Sequence, residues 1–435
     1  MTFTSAPDLP FASRWRDVYI ASAARGVSVC GDFLAATALV LAVQAAGGGG
    51  LAVSALLLAA TLPLVVLAPI TGRLADRVDS RTLLVAAGLA QAAVCAMLAF
   101  LTDHVLIVVL VAVLASGLAV TQPTIAALIP AMVRRADLPR ASAVNQTAGS
   151  LGVLVGPALA GVLVGEFGPR LPRLLAAAGY LAVVVAGLAL GTRRGTRTGT
   201  TVAPATPAAP DVVPAAPIAA AAAWRIWADP LLRAMIISLA AVIAAVGAIN
   251  VVEVFFIRDT LRSSTTNFGL ISACWTGGVL VGAWLLARPA ARARGDGNLV
   301  RGVLLMLGAC CAVLPISATV GAVGWLFPLW IIGGVFNGGL NTFSAVVMGS
   351  RVPEHARGRA FAALNGAVQG AAMFGYLAGG LLVGHVPTRP LVAGLGIGGL
   401  LVVAVLSPSV ARAARRERAA TSRATATAAT IPAAA

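Results

Sequence analysis

The sequence predicts an all-α integral membrane protein with twelve transmembrane helices in two pseudo-symmetric six-helix bundles. Of its 435 residues, 59% are hydrophobic and only 11% are charged, and the mean hydropathy is +0.94. Such values are typical of chains that cross a bilayer many times. Twelve apolar stretches of about 18 to 25 residues follow one another, and each is long enough to span the hydrocarbon core. A polar, proline-rich break after the sixth stretch divides them into six and six.

The apolar stretches define the predicted spans and domains. Spans 1 to 6 occupy 18–46, 51–72, 82–101, 104–132, 141–165 and 173–191, and spans 7 to 12 occupy 231–257, 267–288, 299–319, 325–349, 358–384 and 390–410. We expect a cytoplasmic N-terminal segment (1–17), a first bundle (18–191), a flexible cytoplasmic linker (192–229), a second bundle (230–410) and a disordered, Arg- and Ala-rich cytoplasmic tail (411–435).

The two predicted bundles retain a trace of internal similarity. A shift of 219 residues places Arg140 on Arg359 and Gly156 on Gly375, and it also places Gly161 on Gly380. Spans 5 and 11 would then be equivalent elements of two parallel repeats. Chance coincidence among the 47 glycines of the chain is the alternative.

The positive charge of the chain predicts its orientation. All 31 basic residues are arginines, a bias that GC-rich coding explains. With a cytoplasmic N-terminus, 25 of them fall on the inner side, Arg25 lies inside span 1, and only five fall in outer loops, at 170, 173, 258, 262 and 389. This asymmetry predicts that both termini are cytoplasmic. The arginines form short clusters with no aromatic-rich basic face, so the net charge of +16 does not predict nucleic-acid binding.

The N-terminus and the cysteines predict no processing and no metal. Charged residues precede an apolar run that is too long for a signal peptide, so span 1 should remain in the mature protein. The five cysteines lie in apolar segments without metal-ligand spacing, and we interpret them as small packing residues. We expect no metal and no cofactor.

Residues 72–81, Gly-Arg-Leu-Ala-Asp-Arg-Val-Asp-Ser-Arg, carry five charges between two spans. Gly72 allows span 2 to end close to a neighbour, Asp76 suits the N-terminus of another helix, and Arg77 and Arg81 suit the inner interface. A solvated loop of the positive-inside kind is the alternative.

This stretch resembles the signature of the loop between helices 2 and 3 in the major facilitator superfamily. Asp79 and Ser80 stand where that signature usually has Gly and Arg. The resemblance implies that the loop is a conformational latch on the inner side, with Asp76 facing the start of span 11 near Gly358. The second anion, Asp79, alters the charge network of that latch.

Span 5 carries a second motif, Gly152-Val-Leu-Val-Gly156-Pro157-Ala-Leu-Ala-Gly161. Small residues at these intervals create a face that another backbone can approach, and Pro157 favours a bend. The motif resembles the antiporter signature of drug-efflux members of the superfamily, with Ala160 in place of the usual Gly. Ordinary small-residue packing is the alternative.

Two further glycine-rich stretches are candidate sliding surfaces for rocking bundles. Gly278-Val-Leu-Val-Gly282 in span 8 is a candidate mate for span 5, because helices 5 and 8 meet across the two halves in this superfamily. Span 11 adds five glycines, Gly366, Gly370, Gly375, Gly379 and Gly380. Residues 123–130, 138–161 and 352–359 resemble the branch that contains macrolide-efflux proteins and the enterobactin exporter.

Asp32 is the first candidate for proton coupling. It lies near the bilayer midplane, where a carboxyl group is costly and usually functional. Arg25 is two helical turns earlier on a similar face, with Ser28 between them. A coupling or substrate role and a structural intramembrane pair with Arg25 both remain open.

Glu253 is the carboxyl group within the apolar body of the second half, and Asn250 precedes it by one turn. It should lie towards the outer end of span 7, where water or Arg258 can satisfy it, or it can face a cavity. Six other polar residues are cavity candidates, although Asn and Gln also bridge helices. They are Gln122, Asn337, Asn341, Asn365, Gln369 and Tyr376.

We interpret the chain as a secondary active transporter of the cell membrane that exports an amphipathic drug or secondary metabolite, with export and proton antiport implied by the resemblance. Import or uniport of a small polar solute is the alternative, and a non-transporting ligand sensor is an alternative of another class. An enzyme is not expected, because the sequence has no catalytic triad, metal-ligand cluster or nucleotide loop. We expect a monomer in the lipid bilayer, with protons as the coupling ion.

Overall fold

The computed structural model describes residues 13–192, 226–293 and 295–429, apart from the side chains at 69, 72–73, 75–77, 355 and 416–429. This part of the chain is all-helical, with no β-strand, and it contains twelve helices long and apolar enough to cross a membrane. The predicted fold class is therefore confirmed. Most of the linker (193–225) and of the N-terminal segment (1–12) lies outside the described residues.

The twelve helices match the predicted spans to within a few residues at most ends. The first six are α1 Trp15–Ala45, α2 Gly50–Arg77, α3 Ser80–Leu98, α4 His104–Met132, α5 Leu138–Phe167 and α6 Arg170–Ala189. The others are α7 Pro230–Thr260, α8 Thr265–Arg292, α9 Asp296–Thr319, α10 Leu326–Arg351, α11 Arg357–Val383 and α12 Thr388–Ala429.

The chain forms two compact units. The first unit comprises residues 1–42 and 59–198, and the second comprises 43–58 and 199–435. The second unit thus includes the end of α1 and the start of α2 as well as α7 to α12. A buried apolar cluster in the first unit joins α1, α3, α4, α5 and α6, and a larger one in the second joins α7 to α12.

Helix α7 is interrupted, which the sequence pattern did not predict. It consists of Pro230–Val246 and Ile249–Phe255, followed by a π-helical turn at Phe256–Thr260. The break falls at Gly247, where a Cβ would lie only 3.3 Å from the Cα of Gly375 in α11. Glycine is a poor helix former, and its missing side chain permits this close approach.

The C-terminal tail corrects a second expectation. Residues 411–429 were predicted to be disordered, but they continue α12 as one helix to Ala429. The stretch is rich in Ala and Arg, which are strong helix formers, and it contains no glycine or proline. Composition alone suggested disorder, whereas the preceding span supplies a helix that the tail can extend without a new nucleation step.

Glycines place α5 against α1 and α11 against α7. A Cβ at Gly156 would lie 2.7 Å from the Cβ of Phe33, and a Cβ at Gly375 would lie 2.7 Å from the Cα of Gly247. Both crossings are therefore too close for any larger residue. Gly156 and Gly375 are the positions that the 219-residue shift superposes, and each packs against the first helix of its own half.

The glycines of α8 pack on a helix of their own unit. A Cβ at Gly278 or Gly282 would collide with the α10 backbone at Ile331 or Val335, inside the second unit. Gly152 and Gly156 of α5 likewise pack on α1, inside the first unit. The predicted pairing of the α5 and α8 glycines stays a prediction.

Two arginines, one buried and one partly buried, bind the free carbonyls at the ends of helices. Arg173 of α6 is only 5% exposed, and it donates to the carbonyl oxygens of Leu98, at the end of α3, and of Pro169. Arg389 of α12 donates to Ala318 at 3.0 Å and to Val320 at 2.8 Å, at the end of α9. A cation at a helix C-terminus is stabilised by the helix dipole and satisfies free carbonyls.

These contacts give structural roles to arginines that the sequence analysis assigned to outer loops. The sequence analysis placed residues 170 and 173 in an outer loop, but both lie in α6. Arg258 also donates to a backbone carbonyl, that of Ser263. Three of the five exceptions to the charge asymmetry therefore serve as backbone donors rather than as free loop charges.

We expect Arg173→Leu to lower the free energy of unfolding by about 2 kcal/mol, because the carbonyls that lose a charged donor become unsatisfied. The matched control is Arg170→Leu, since Arg170 is exposed and lies in the same first turn of α6. The stability of each variant is measured as its thermal unfolding midpoint in detergent. Equal midpoints for the two variants would contradict the capping role.

Candidate functional site

Asp32 lies near the middle of α1, about 26 Å along the helix from its first residue. Its side chain is partly buried, and its Oδ1 accepts a hydrogen bond of 2.5 Å from the hydroxyl of Tyr180. Tyr180 belongs to α6 and is fully buried. The partner of this intramembrane carboxyl group is therefore a neutral phenol.

Small residues at the contact of α1 and α6 bring Tyr180 to Asp32. A Cβ at Gly179 would lie 3.3 Å from the carbonyl oxygen of Val27, and a Cβ at Gly31 would lie 3.4 Å from the Cα of Ala176. Missing side chains allow the two backbones to approach this closely. The position of the phenol thus depends on glycines next to the two polar residues.

Arg25 does not pair with Asp32. Its guanidinium packs over α5, where a Cβ at Gly149 would lie 3.0 Å from Nε. Among the described residues, this Nε is buried without a hydrogen-bond partner, and no ion pair joins Arg25 to Asp32. The alternative of a structural Arg25–Asp32 pair is therefore not what the structure contains.

Glu253 lies in the second segment of α7. Ser272 of α8 donates to its Oε1 at 3.4 Å, and the Trp330 side chain of α10 lies close by. Trp330 is buried and stands edge-on to Trp275, with ring centroids 6.5 Å apart. Arg258 donates to Ser263 instead, so the described part of the chain contains no Glu253–Arg258 ion pair.

The two carboxyl groups have similar surroundings. Each lies on the first helix of its half and is partly buried, and each accepts a hydrogen bond from a hydroxyl group rather than from a cation. Such donors remain hydrogen-bonding groups whether the carboxyl carries a proton or not, because a protonated carboxyl still has acceptor oxygens. Among the described residues, no arginine lies within 4 Å of either carboxyl group to form an ion pair with it.

Asn250 and the other polar candidates have varied positions. Asn250 is exposed and donates to the carbonyl of Gly247 at 3.1 Å, at the break in α7. Asn341 donates to Asn337 at 3.4 Å along α10. Tyr376 accepts a hydrogen bond of 2.7 Å from Ser54 through its carbonyl oxygen. These hydrogen bonds are all to protein groups, and a contact of these residues with a substrate stays a prediction.

Helix α11 has one closed and one open face. Gly375 and Gly379 pack on α7, whereas Cβ atoms at Gly366 and Gly370 would have no neighbour within 4 Å. Asn365 and Gln369 are adjacent to those open positions, and Asn365 is exposed. Gln122 of α4 is also exposed. The role of these glycines as a sliding surface stays a prediction.

The latch is only partly within the described residues. The surroundings of Gly72 and the side chains of Asp76 and Arg77 lie outside the described residues. The predicted contact of Asp76 with the start of α11 therefore stays a prediction. Arg81 belongs to the first turn of α3 and is partly buried. Asp79 occupies the N-cap position of α3 and accepts from Thr82 at 3.5 Å. The departure at Asp79 thus places an anion at a helix N-terminus, which the helix dipole favours.

A charge cluster missed by the sequence analysis joins three helices in the second unit. Arg351, the last residue of α10, contacts Asp229 and Asp296 at 2.8 Å each. Asp229 also caps α7 by accepting from the amides of Leu231 and Leu232. The three residues are far apart in sequence, and the available signal was that each stands at a predicted helix end.

A second missed contact fixes the junction of α1 and α2 within the second unit. Gln44 donates to Asp259 at 2.7 Å, and a Cβ at Gly50 would lie 2.7 Å from the carbonyl oxygen of Gly380. Ser54 adds its bond to Tyr376. Gly379 and Gly380 are therefore used for packing against Ala248 and α2.

Twelve apolar helices define a multi-pass membrane protein. The model of the Major Facilitator Superfamily matches residues 21–329. The chain belongs to this superfamily of transporters, and a non-enzymatic role follows. The described residues contain no group of three or more side chains arranged to hold a metal ion.

Solved structures share this fold at low sequence identity. The inward-facing bacterial homologue of the iron transporter ferroportin is 16% identical, with 92% of this chain and 99% of that chain covered and a TM-score of 0.69. The nucleoside transporter NupG is 13% identical, with coverages of 91% and 99% and a TM-score of 0.71. A bacterial homologue of the human lysosomal transporter Spinster is 12% identical, with coverages of 95% and 98% and a TM-score of 0.68. No curated protein matches the chain.

Proposed function

We propose that the chain is a secondary active transporter that exports an amphipathic drug or secondary metabolite in exchange for protons, by alternating access. The observation that carries the proposal is the pair of intramembrane carboxyl groups, Asp32 and Glu253, with neutral hydrogen-bond donors. A carboxyl group tied to a buried arginine loses an ion pair when it is protonated, which is costly. Tyr180 and Ser272 impose no such cost, so these sites can load and release a proton.

The direction of transport is proposed from the motif in α5. Gly152, Gly156, Pro157 and Gly161 resemble an antiporter signature, and its first two glycines lie against α1, the helix that carries Asp32. A shift of α5 along α1 would therefore act directly on the helix with the first coupling carboxyl. This arrangement favours exchange over uniport.

An amphipathic cargo is proposed from the mixture of exposed side chains on the transport helices. Asn365 and Gln369 stand beside open glycine positions on α11, and Phe374 on the same helix is 64% exposed. Such a surface offers both hydrogen bonds and apolar contact. The remaining candidates, Gln122, Asn337, Asn341, Asn250 and Arg25, would set the selectivity.

We further propose a multi-pass monomer in the cell membrane with both termini in the cytoplasm, on the basis of the arginine asymmetry. Asp76 would then latch the cytoplasmic side against the start of α11, together with Gly72, Arg77 and Arg81. Neither a cofactor nor nucleic acid has a part in this mechanism.

The test is transport in proteoliposomes with an imposed pH gradient. A panel of amphipathic organic cations, anions and neutral compounds is screened for accumulation, and the native chain is compared with the double variant Asp32→Asn/Glu253→Gln. We expect the gradient to drive flux only in the native chain and to drive it against the proton flow, with the loss in the variant roughly 10- to 100-fold, the usual range of coupling between sites.

The outcomes separate the proposal from its alternatives. Flux in the same direction as the protons would indicate an importer. Ligand binding without flux of any compound would indicate a sensor. Full gradient-driven flux in the double variant would contradict the coupling assignment even if export is observed.

A further inference from the structure

A cavity of about 320 Å³ lies within the second unit, between the first turns of α7 and the last part of the membrane span of α12. It is distinct from both carboxyl sites, since Glu253 is about 30 Å further along α7 from Arg233. The residues that line it are Pro230, Arg233, Ala234, Ile237, Ser238, Leu406, Ser409, Arg412 and Ala413.

Two arginines give the cavity a positive charge that no carboxylate among the described side chains matches. Arg233 and Arg412 approach it from opposite helices, and neither forms an ion pair with a described side chain. Asp229, one turn before Arg233, is taken up by Arg351 and by the cap of α7. Arg412 donates its Nε to the carbonyl of Pro408 at 3.3 Å, which leaves its terminal amino groups available.

The remaining walls are apolar, with one unpaired polar group. Ile237 is 46% exposed, and Leu406 is partly buried opposite it. Ser238 is only 1% exposed, and its hydroxyl has no hydrogen-bond partner among the described residues. A buried hydroxyl without a partner is uncommon, and a bound ligand that accepts its proton would satisfy it. The cavity thus combines two cations, an unpaired hydroxyl and an apolar wall.

We propose that this cavity binds the head group of an anionic phospholipid. Its phosphate lies between the guanidinium groups of Arg233 and Arg412, which suit phosphate oxygens. Its acyl chain runs along Ile237 and Leu406. Basic pockets between helices at the cytoplasmic end of a membrane span are suited to such head groups. The inference depends on neither the cargo nor the coupling ion of the proposed function.

A lipid fits the site better than a free anion does. Both arginines stand at the end of a membrane span, and α12 continues as a helix beyond it, so the cavity lies at the level of the membrane interface. A hydrated phosphate ion would gain nothing from Ile237 and Leu406. A lipid uses the charged and the apolar walls together.

The test is ligand-dependent thermal stabilisation of the full chain in detergent, because a ligand that binds the folded state raises the unfolding midpoint as its concentration rises. Three probes are titrated: short-chain phosphatidylglycerol, the zwitterionic phosphatidylcholine of the same chain length, and inorganic phosphate. We expect saturable stabilisation by phosphatidylglycerol and little by the other two.

The site variant is Arg233→Ala/Arg412→Ala, and the matched control is Arg288→Ala/Arg292→Ala, which removes two exposed arginines from the end of α8 in the same unit. We expect half-saturation by phosphatidylglycerol to require about 100-fold more lipid in the site variant, roughly tenfold for each lost charge-assisted contact. The control should match the native chain.

The variant Arg233→Lys/Arg412→Lys distinguishes a loss of lipid binding from a folding defect. It keeps both charges and should retain most of the stabilisation by phosphatidylglycerol. Equal phosphatidylglycerol responses in the native chain and the alanine site variant would overturn the proposal. Stabilisation by inorganic phosphate at the same concentration would also overturn it, because the occupant would then be a soluble anion.

Discussion

Asn at position 32 is expected to abolish gradient-driven transport while leaving the protein folded and able to bind its cargo. Asn has nearly the shape of Asp, and its side-chain oxygen can still accept the hydrogen bond from Tyr180. It cannot bind or release a proton at the pH values of the cell. Flux driven by a pH gradient should fall by roughly 10- to 100-fold.

Exchange of labelled for unlabelled cargo at equal pH on both sides separates coupling from folding. It needs cargo binding and conformational change but no net proton movement, so Asp32→Asn should retain it. Loss of both activities would assign Asp32 to cargo binding or to the fold. Intact gradient-driven flux would remove Asp32 from the mechanism altogether.

Tyr180→Phe provides the matched variant on the partner side of the hydrogen bond. It removes the hydroxyl but keeps the buried ring that fills the space between α1 and α6. A carboxyl group that loses a donor changes its proton affinity, and one pH unit corresponds to about 1.4 kcal/mol. We therefore expect gradient-driven flux to persist in Tyr180→Phe, with its pH dependence shifted. In Asp32→Asn the gradient-driven flux itself should be lost, so no pH dependence of it can be measured.

The positions of the helices were predictable because the bilayer imposes their length. Each apolar stretch must satisfy its own backbone groups in lipid, so length and composition identify a helix without knowledge of its neighbours. The break at Gly247 was not predictable in this way. It depends on the approach of Gly375, which lies more than a hundred residues away in the sequence.

The candidate site was predictable only in part, for the same reason. A carboxyl group in an apolar stretch stands out, so Asp32 and Glu253 were identified from the sequence. Their hydrogen-bond partners were not, because Tyr180 and Ser272 resemble ordinary small or aromatic polar residues of apolar helices. Tyr180 is one of only three tyrosines in the chain, which was the one available hint.

The glycine motifs show what a spacing pattern leaves undetermined. Small residues four apart predict that another backbone comes close, but they do not name that backbone. The α8 motif has its partner in α10 of the same unit, where Gly334 and Gly338 face it. The sequence pattern alone could not identify α10 as that partner.

Gly282→Val is expected to be the most damaging single substitution in the second unit. A Cβ at Gly282 would collide with the backbone of Val335, which cannot move aside as a side chain can. Because α8 and α10 cross here, the two helices would have to separate along their contact. We expect a loss of about 3 kcal/mol in the free energy of unfolding, at the upper end for overpacking.

The control for that loss is Gly370→Val, which makes the same chemical change in a membrane-spanning helix of the same unit. A Cβ at Gly370 would meet no atom within 4 Å, so the cost of overpacking disappears and only a small difference in helix propensity remains. The yield of monodisperse protein and its unfolding midpoint should therefore fall for Gly282→Val alone. If the yield and the unfolding midpoint fall equally for both variants, a larger side chain destabilises these helices at any position. The α8–α10 crossing would then not specifically require glycine.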